Sequence, residues 1–183
     1  MPATRRRVLA AAGASLLAGT AGCLTAVGRM PPVRTVSTPP TPRVPTGVED
    51  APVRPVRTLA VGRRAWVPFG SHNRAVPVFV WNDADRDRRF RLRLALHDGG
   101  TVFDRTETVR AGASLAVDLR EPNGYTLWLV DGRERPIADI GPEWFDCNES
   151  RIDAAVRADG RVESAGATTT GGCTVLSDVG PPL

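Results

Sequence analysis

From about residue 58 the chain alternates between apolar and polar positions. Phe90, Leu92, Leu94 and Leu96 share one parity, and Arg89, Arg91, Arg93, Ala95 and His97 share the other. A period of two marks a strand with one buried face, so residues 89–97 are predicted as a half-buried strand. Asp98-Gly99 follows, a strong hairpin signal, and residues 101–109 then return. That loop places Arg93 opposite Asp104 and Leu94 opposite Phe103, both favourable cross-strand pairs. Further strands are predicted over 75–81 (Val76, Val78, Val80), 114–119 (Leu115, Val117, Leu119) and 125–130 (Tyr125, Leu127, Leu129). Ile152, Ala154 and Val156 mark another, which Asp159-Gly160 reverses into residues from Arg161 onward. No stretch after residue 58 carries a helical stripe. Short strands with turns every 8 to 12 residues predict an all-β, antiparallel sandwich.

Before residue 58 the pattern is absent. Eight of the 16 prolines lie between Pro31 and Pro55, interspersed with Thr and Ser. Proline removes ladder donors and favours polyproline II, so this segment reads as a disordered stalk of 25 to 30 residues. At ~3.1 Å per residue it would span on the order of 80 Å.

The first residues have a third character. Arg5-Arg6-Arg7 precedes an apolar run from Val8 to Ala21, which ends at Gly22-Cys23. The run is about 14 residues, short of the ~20 needed to span a bilayer. A charged start, a short apolar stretch and small residues before a cysteine form an export signal. The paired arginines resemble a twin-arginine signal, and Ala21-Gly22-Cys23 resembles a lipobox, with Thr20 where Leu is usual. All 24 basic residues are Arg, and Asp outnumbers Glu. With that signal, the chain resembles twin-arginine-exported lipoproteins of haloarchaea, although these are usually more acidic. The resemblance implies lipidation at Cys23 and a place on the extracytoplasmic face of the membrane. The strand rhythm and the late cysteine pair resemble the immunoglobulin-like domains of such proteins.

These readings divide the chain into a signal over residues 1–22, a lipidated start and stalk over 23–57, a β-sandwich over 58–178 and a tail over 179–183. The whole chain carries a formal charge of +4, and losing Arg5, Arg6 and Arg7 with the signal leaves about +1. That near-neutral balance argues against a nucleic-acid partner. Outside the cell, Cys147 and Cys173 are expected as a disulfide. It would close a loop of about 27 residues, worth about 3.5 kcal/mol in the chain-entropy description. Their midpoint falls in the Asp159-Gly160 turn, so a long hairpin would bring them nearly opposite, with one slip allowed for the Thr/Gly-rich stretch before Cys173.

Candidate chemistry is sparse. His72 and His97 lack the nearby Cys and Met of a blue-copper site. Asp83, Asp85 and Asp87 offer oxygen ligands at alternate positions, a weak metal candidate that fails the calcium-loop pattern at Arg88 and Leu94. No Gly-x-Ser-x-Gly, His-Glu-x-x-His or phosphate-binding Gly loop occurs. Trp66, Trp81, Trp128 and Trp144 fit core packing better than a sugar platform. Asn148-Glu149-Ser150 is a glycosylation sequon, and Arg89, Arg91 and Arg93 form a basic stripe that is the candidate binding surface. The expectation is a lipid-anchored β-domain with a non-catalytic binding or accessory role in the envelope, needing no cofactor. Its contacts would be the membrane, through the anchor, and an envelope partner. The alternative is an envelope enzyme or metal carrier built on the three aspartates.

Overall fold

The structure is a computed structural model and describes residues 30–37, 48, 54–63, 74–131 and 133–171. The signal segment, Cys23, His72, Trp66 and Cys173 lie outside the described residues. Ten strands are described: β1 (Val33–Val36), β2 (Arg57–Val61), β3 (Val76–Asp83), β4 (Arg88–Leu96), β5 (Thr101–Val109), β6 (Ser114–Leu119), β7 (Tyr125–Asp131), β8 (Arg133–Ile140), β9 (Ser150–Arg157) and β10 (Val162–Thr168). The sole helical element among the described residues is a 3-10 turn at Pro142–Trp144.

The strands form two packed sheets, a sandwich. One has six strands in the order β1-β2-β6-β3-β9-β10, the other four in the order β5-β4-β7-β8. Alternation selects the facing sides. Val76, Val78 and Val80 of β3 and Leu115, Val117 and Leu119 of β6 meet Phe90, Leu92 and Leu94 of β4 and Leu127 and Leu129 of β7 in one core. Each fully buried side chain of this kind contributes about 1.5–3 kcal/mol of transfer free energy.

The β4–β5 hairpin has the expected register, Arg93 facing Asp104 and Leu94 facing Phe103. Gly99 turns it at φ +97°, and Gly160 turns β9 into β10 at φ +84°, conformations only glycine adopts cheaply. The six-stranded sheet departs from a purely antiparallel plan: β2 runs parallel to β6, and β3 parallel to β9. Parallel neighbours must be distant in sequence, so no local turn signal announces them.

β1 corrects the stalk. Val33–Val36 lies within the proline-rich segment, yet pairs with β2 from Val33–Val61 to Val36–Thr58. Gly62 N–H also donates to Pro32 C=O (2.8 Å). The prolines at 39–55 therefore belong to the connection between two adjacent strands, not to one tether ahead of the domain.

Strand directions give the sandwich two unlike ends. The β3–β4, β5–β6, β7–β8 and β9–β10 connections all lie at one, the turn end. At the other, the open end, lie residues 30–32, Cys147 and the end of β10.

Candidate functional site

The outer face of the four-stranded sheet collects the polar parity of β4. Arg89 and Arg91 are exposed and Arg93 is half-buried. Two of the three are fixed, each in a different way. Arg91 donates Nε and Nη2 to the two oxygens of Asp104, both at 2.8 Å. That fork-to-fork bond holds the Asp104 carboxyl below its usual range and raises the Arg91 guanidinium. The pair is diagonal: Asp104 stands directly opposite Arg93, but Arg93 turns to Glu134, on the edge strand β8. There its guanidinium lies 5.2 Å from the ring centroid of Trp128, its direct β7 neighbour. Such a contact stabilises by roughly 0.5–1 kcal/mol where solvent reaches it. Towards the open end, His97 Nε2 lies 2.9 Å from Asp139 Oδ1, which also accepts from Thr126 Oγ1 (3.1 Å). Among the described residues Arg89 has no side-chain partner.

The result is a flat polar face, cross-braced from β5 to β8 around a half-buried Trp128. A depression of about 170 Å³ among Met30, Pro32, Arg63 and Glu121 lies at the open end. It is smaller than the roughly 300–1,000 Å³ of typical small-molecule sites.

The aspartate cluster is not assembled as a metal site. Asp83 accepts from Arg157 (3.1 Å), Asp87 accepts from the Ala111 N–H (3.1 Å), and Asp85 points to solvent. Among the described residues no three His, Cys, Asp or Glu side chains come together to hold an ion. Arg157 also binds Glu163 and sits 5.3 Å from the centroid of the Trp81 ring. Glu163 first, then Asp83, raises the Arg157 guanidinium, and Arg157 in turn lowers Glu163.

Asn148 is bound at both ends. Its Nδ2 donates to Asp146 (2.6 Å) and its Oδ1 accepts from Gly171 N–H (2.8 Å). A sugar on Nδ2 would displace the first of these bonds. Cys147 is buried beside it. The β9–β10 register pairs Ser150 with Thr168, and Thr169 N–H reaches Glu149 C=O (2.9 Å). Continued, that register sets residue 147 opposite Gly171, two residues short of Cys173.

Two residues acquire roles that spacing alone did not assign. Asn82 is fully buried, and its Nδ2 donates to the carbonyls of Arg86 (2.8 Å), Val109 (3.0 Å) and Arg110 (3.1 Å). It clips two connections of the turn end together. Although it directly precedes the aspartate cluster, its carboxamide satisfies backbone carbonyls. Tyr125, at the start of β7, donates its hydroxyl to Glu121 C=O (2.9 Å). Burial, then the Glu121 charge, raises its phenol well above the ordinary value.

Compared with known proteins, the chain matches no protein-family model and no curated sequence.

Proposed function

We propose that the chain is a non-catalytic binding domain of the immunoglobulin-like class, anchored by lipid at Cys23 on the extracytoplasmic face of the membrane. It engages a protein of the envelope through the outer face of its four-stranded sheet. The observation that carries this reading is the braced face itself. Arg91, Arg93, Glu134, Asp104 and Trp128 are held in fixed positions at a flat, solvent-facing surface, and ordered side chains lose little entropy on binding. A half-buried aromatic flanked by arginine is also the composition of interface anchors.

Two features support the immunoglobulin-like assignment. β3 and β6 face β8-β7-β4-β5, the arrangement of strands B and E against G, F, C and C′. Tyr125 makes the hydroxyl-to-backbone bond of a tyrosine corner at the start of the strand equivalent to F. The flanking parallel strands β2 and β9 depart from that plan, and the cysteines are not on β3 or β7. A Cys147–Cys173 disulfide fits the same reading. It would fasten the start of β9 to the chain beyond β10, where Asn148 and Gly171 already meet.

Affinity capture from envelope extracts with the full chain as bait tests the face. Simultaneous replacement of Arg91, Arg93 and Trp128 by Ala is expected to lower recovery of the captured protein at least about tenfold, as for hot-spot residues. Undiminished recovery would rule the face out. Intact mass spectrometry tests the anchor separately, with a diacylglyceryl Cys23 expected as the first residue. An unmodified start beyond Cys23 overturns it.

A further inference from the structure

Four strands end the two sheets, and three of them are protected against pairing with another chain. β1 is only four residues long. β5 carries Asp104, Arg105 and Glu107, and its register shifts opposite Leu94/Ala95. β8 contains Pro136, is charged at Arg133, Glu134 and Arg135, and meets a register shift at Leu127/Trp128. Short length, charge, proline and bulges are the usual devices that keep sheet edges from associating.

β10 has none of them. Val162–Thr168 reads Val-Glu-Ser-Ala-Gly-Ala-Thr, with no proline and no basic residue. Its single charge, Glu163, is occupied by Arg157. Its register on β9 is unbroken from Val162–Val156 to Thr168–Ser150. β10 is the last strand of its sheet among the described residues. Arg157 N–H bonds Arg161 C=O, and Thr169 N–H bonds Glu149 C=O. By antiparallel alternation the odd-numbered residues of β10 face β9. The amides and carbonyls of Val162, Ser164, Gly166 and Thr168 therefore point outward, and among the described residues none of them has a backbone partner.

We propose that this edge is a self-association surface, on which β10 of a second copy of the chain pairs antiparallel about a two-fold axis at Ala165. The sequence is self-complementary in that register. Val162 comes opposite Thr168 and Ser164 opposite Gly166, so outward-facing groups meet outward-facing groups, giving about eight new backbone hydrogen bonds. Glu163 comes opposite Ala167, not opposite its own copy, so no like charges face each other. The side chains along the edge are small, and Gly166 leaves room for Trp144, whose Cη2 would lie 2.9 Å from a Cβ there. An isologous contact closes on itself, so it ends at a dimer rather than a fibre.

Sedimentation velocity of the full chain in density-matched detergent tests this. A monomer–dimer equilibrium is expected, and monomer at every concentration overturns the proposal. Ala165→Glu and Ala165→Arg each set like charges face to face on the axis, and each is expected to weaken the dimer about fivefold. An equimolar mixture of the two is expected to recover the dimer as a heterodimer, which a folding defect would not do. Ser164→Pro removes an outward amide without touching the β9 ladder, and should leave monomer with an unchanged far-ultraviolet spectrum. A dimer indifferent to all three substitutions lies on another surface and overturns the assignment.

Discussion

The two outer faces of the sandwich obey different rules. On the four-stranded sheet, polar parity means exposure: Arg89, Arg91 and Asp104 reach water, and Trp128 is half-covered. On the six-stranded sheet the same parity is buried. Phe79 is 2% exposed and Trp81 6%, with Thr58, Ala60, Ala116, Asp153 and Ala155 closed off beside them. The Arg151 guanidinium lies over Phe79, 4.1 Å from the ring centroid, as Arg157 lies over Trp81. A sheet buried on both sides carries near-continuous apolar runs, and β3 (Val-Pro-Val-Phe-Val-Trp) reads that way. The comparison teaches that a strand's outward parity stays in contact with solvent only where nothing else covers it.

The largest expected effect breaks the symmetry between the faces directly. Phe79→Ala should cost about 3–5 kcal/mol, as for a core phenylalanine, despite its outward parity. Trp128→Ala, on the matching parity of the other sheet, should cost about 1 kcal/mol or less. Urea unfolding of both variants measures the contrast, and equal losses would collapse it.

A smaller effect concerns the corner beneath the polar face. Tyr125→Phe removes one buried hydrogen bond and should cost about 1 kcal/mol. It should also change the alkaline limb. The folded phenol is raised, so its contribution is complete below the unfolded value near pH 10 and is lost as pH rises further. The chain has one tyrosine and no lysine, so besides any free thiol no other side chain is expected to titrate there. Stability of the parent protein should fall above about pH 10, and that of the Phe variant should stay flat.

The smallest effect is electrostatic. Asp104 is depressed by Arg91, so its contribution exists above the unfolded carboxyl value and disappears as pH falls through the folded one. Arg91→Ala should return Asp104 to the ordinary range in a carboxyl NMR titration, with little change in stability at neutral pH. An unmoved Asp104 would mean that the fork-to-fork bond does not persist in solution.

Legibility in the sequence followed the same division. Where one face is wet, alternation located β4 and β7 almost to the residue, and the Asp98-Gly99 loop set β5 and the Arg93–Asp104 register. β8 was invisible because Pro136 and three consecutive charged residues obscure any period of two. β1 was hidden by the prolines around it, since composition reports a segment's average and a four-residue strand is lost in it. The parallel pairings were beyond reach because their partners lie more than 50 residues apart. At the candidate site, spacing identified the arginine stripe and Asp104 across from it, but not that Arg91 holds Asp104 while Arg93 turns to Glu134. A guanidinium reaches diagonal neighbours, and Glu134 sits on the strand the pattern missed.

The antiparallel symmetry at Ala165 has a further consequence. Only nine residues separate Cys23 from Val33, so the chain from the proposed anchor to β1 spans at most about 35 Å. Two copies joined through β10 point their open ends in opposite directions. Were both copies anchored at Cys23 in one bilayer as proposed, the two-fold axis would stand normal to it and the strands would lie along its surface, like a raft moored at both ends. The two braced arginine faces then look the same way. If those faces bind as proposed, a partner with repeated sites would meet a bivalent surface, whose avidity exceeds the affinity of either face alone.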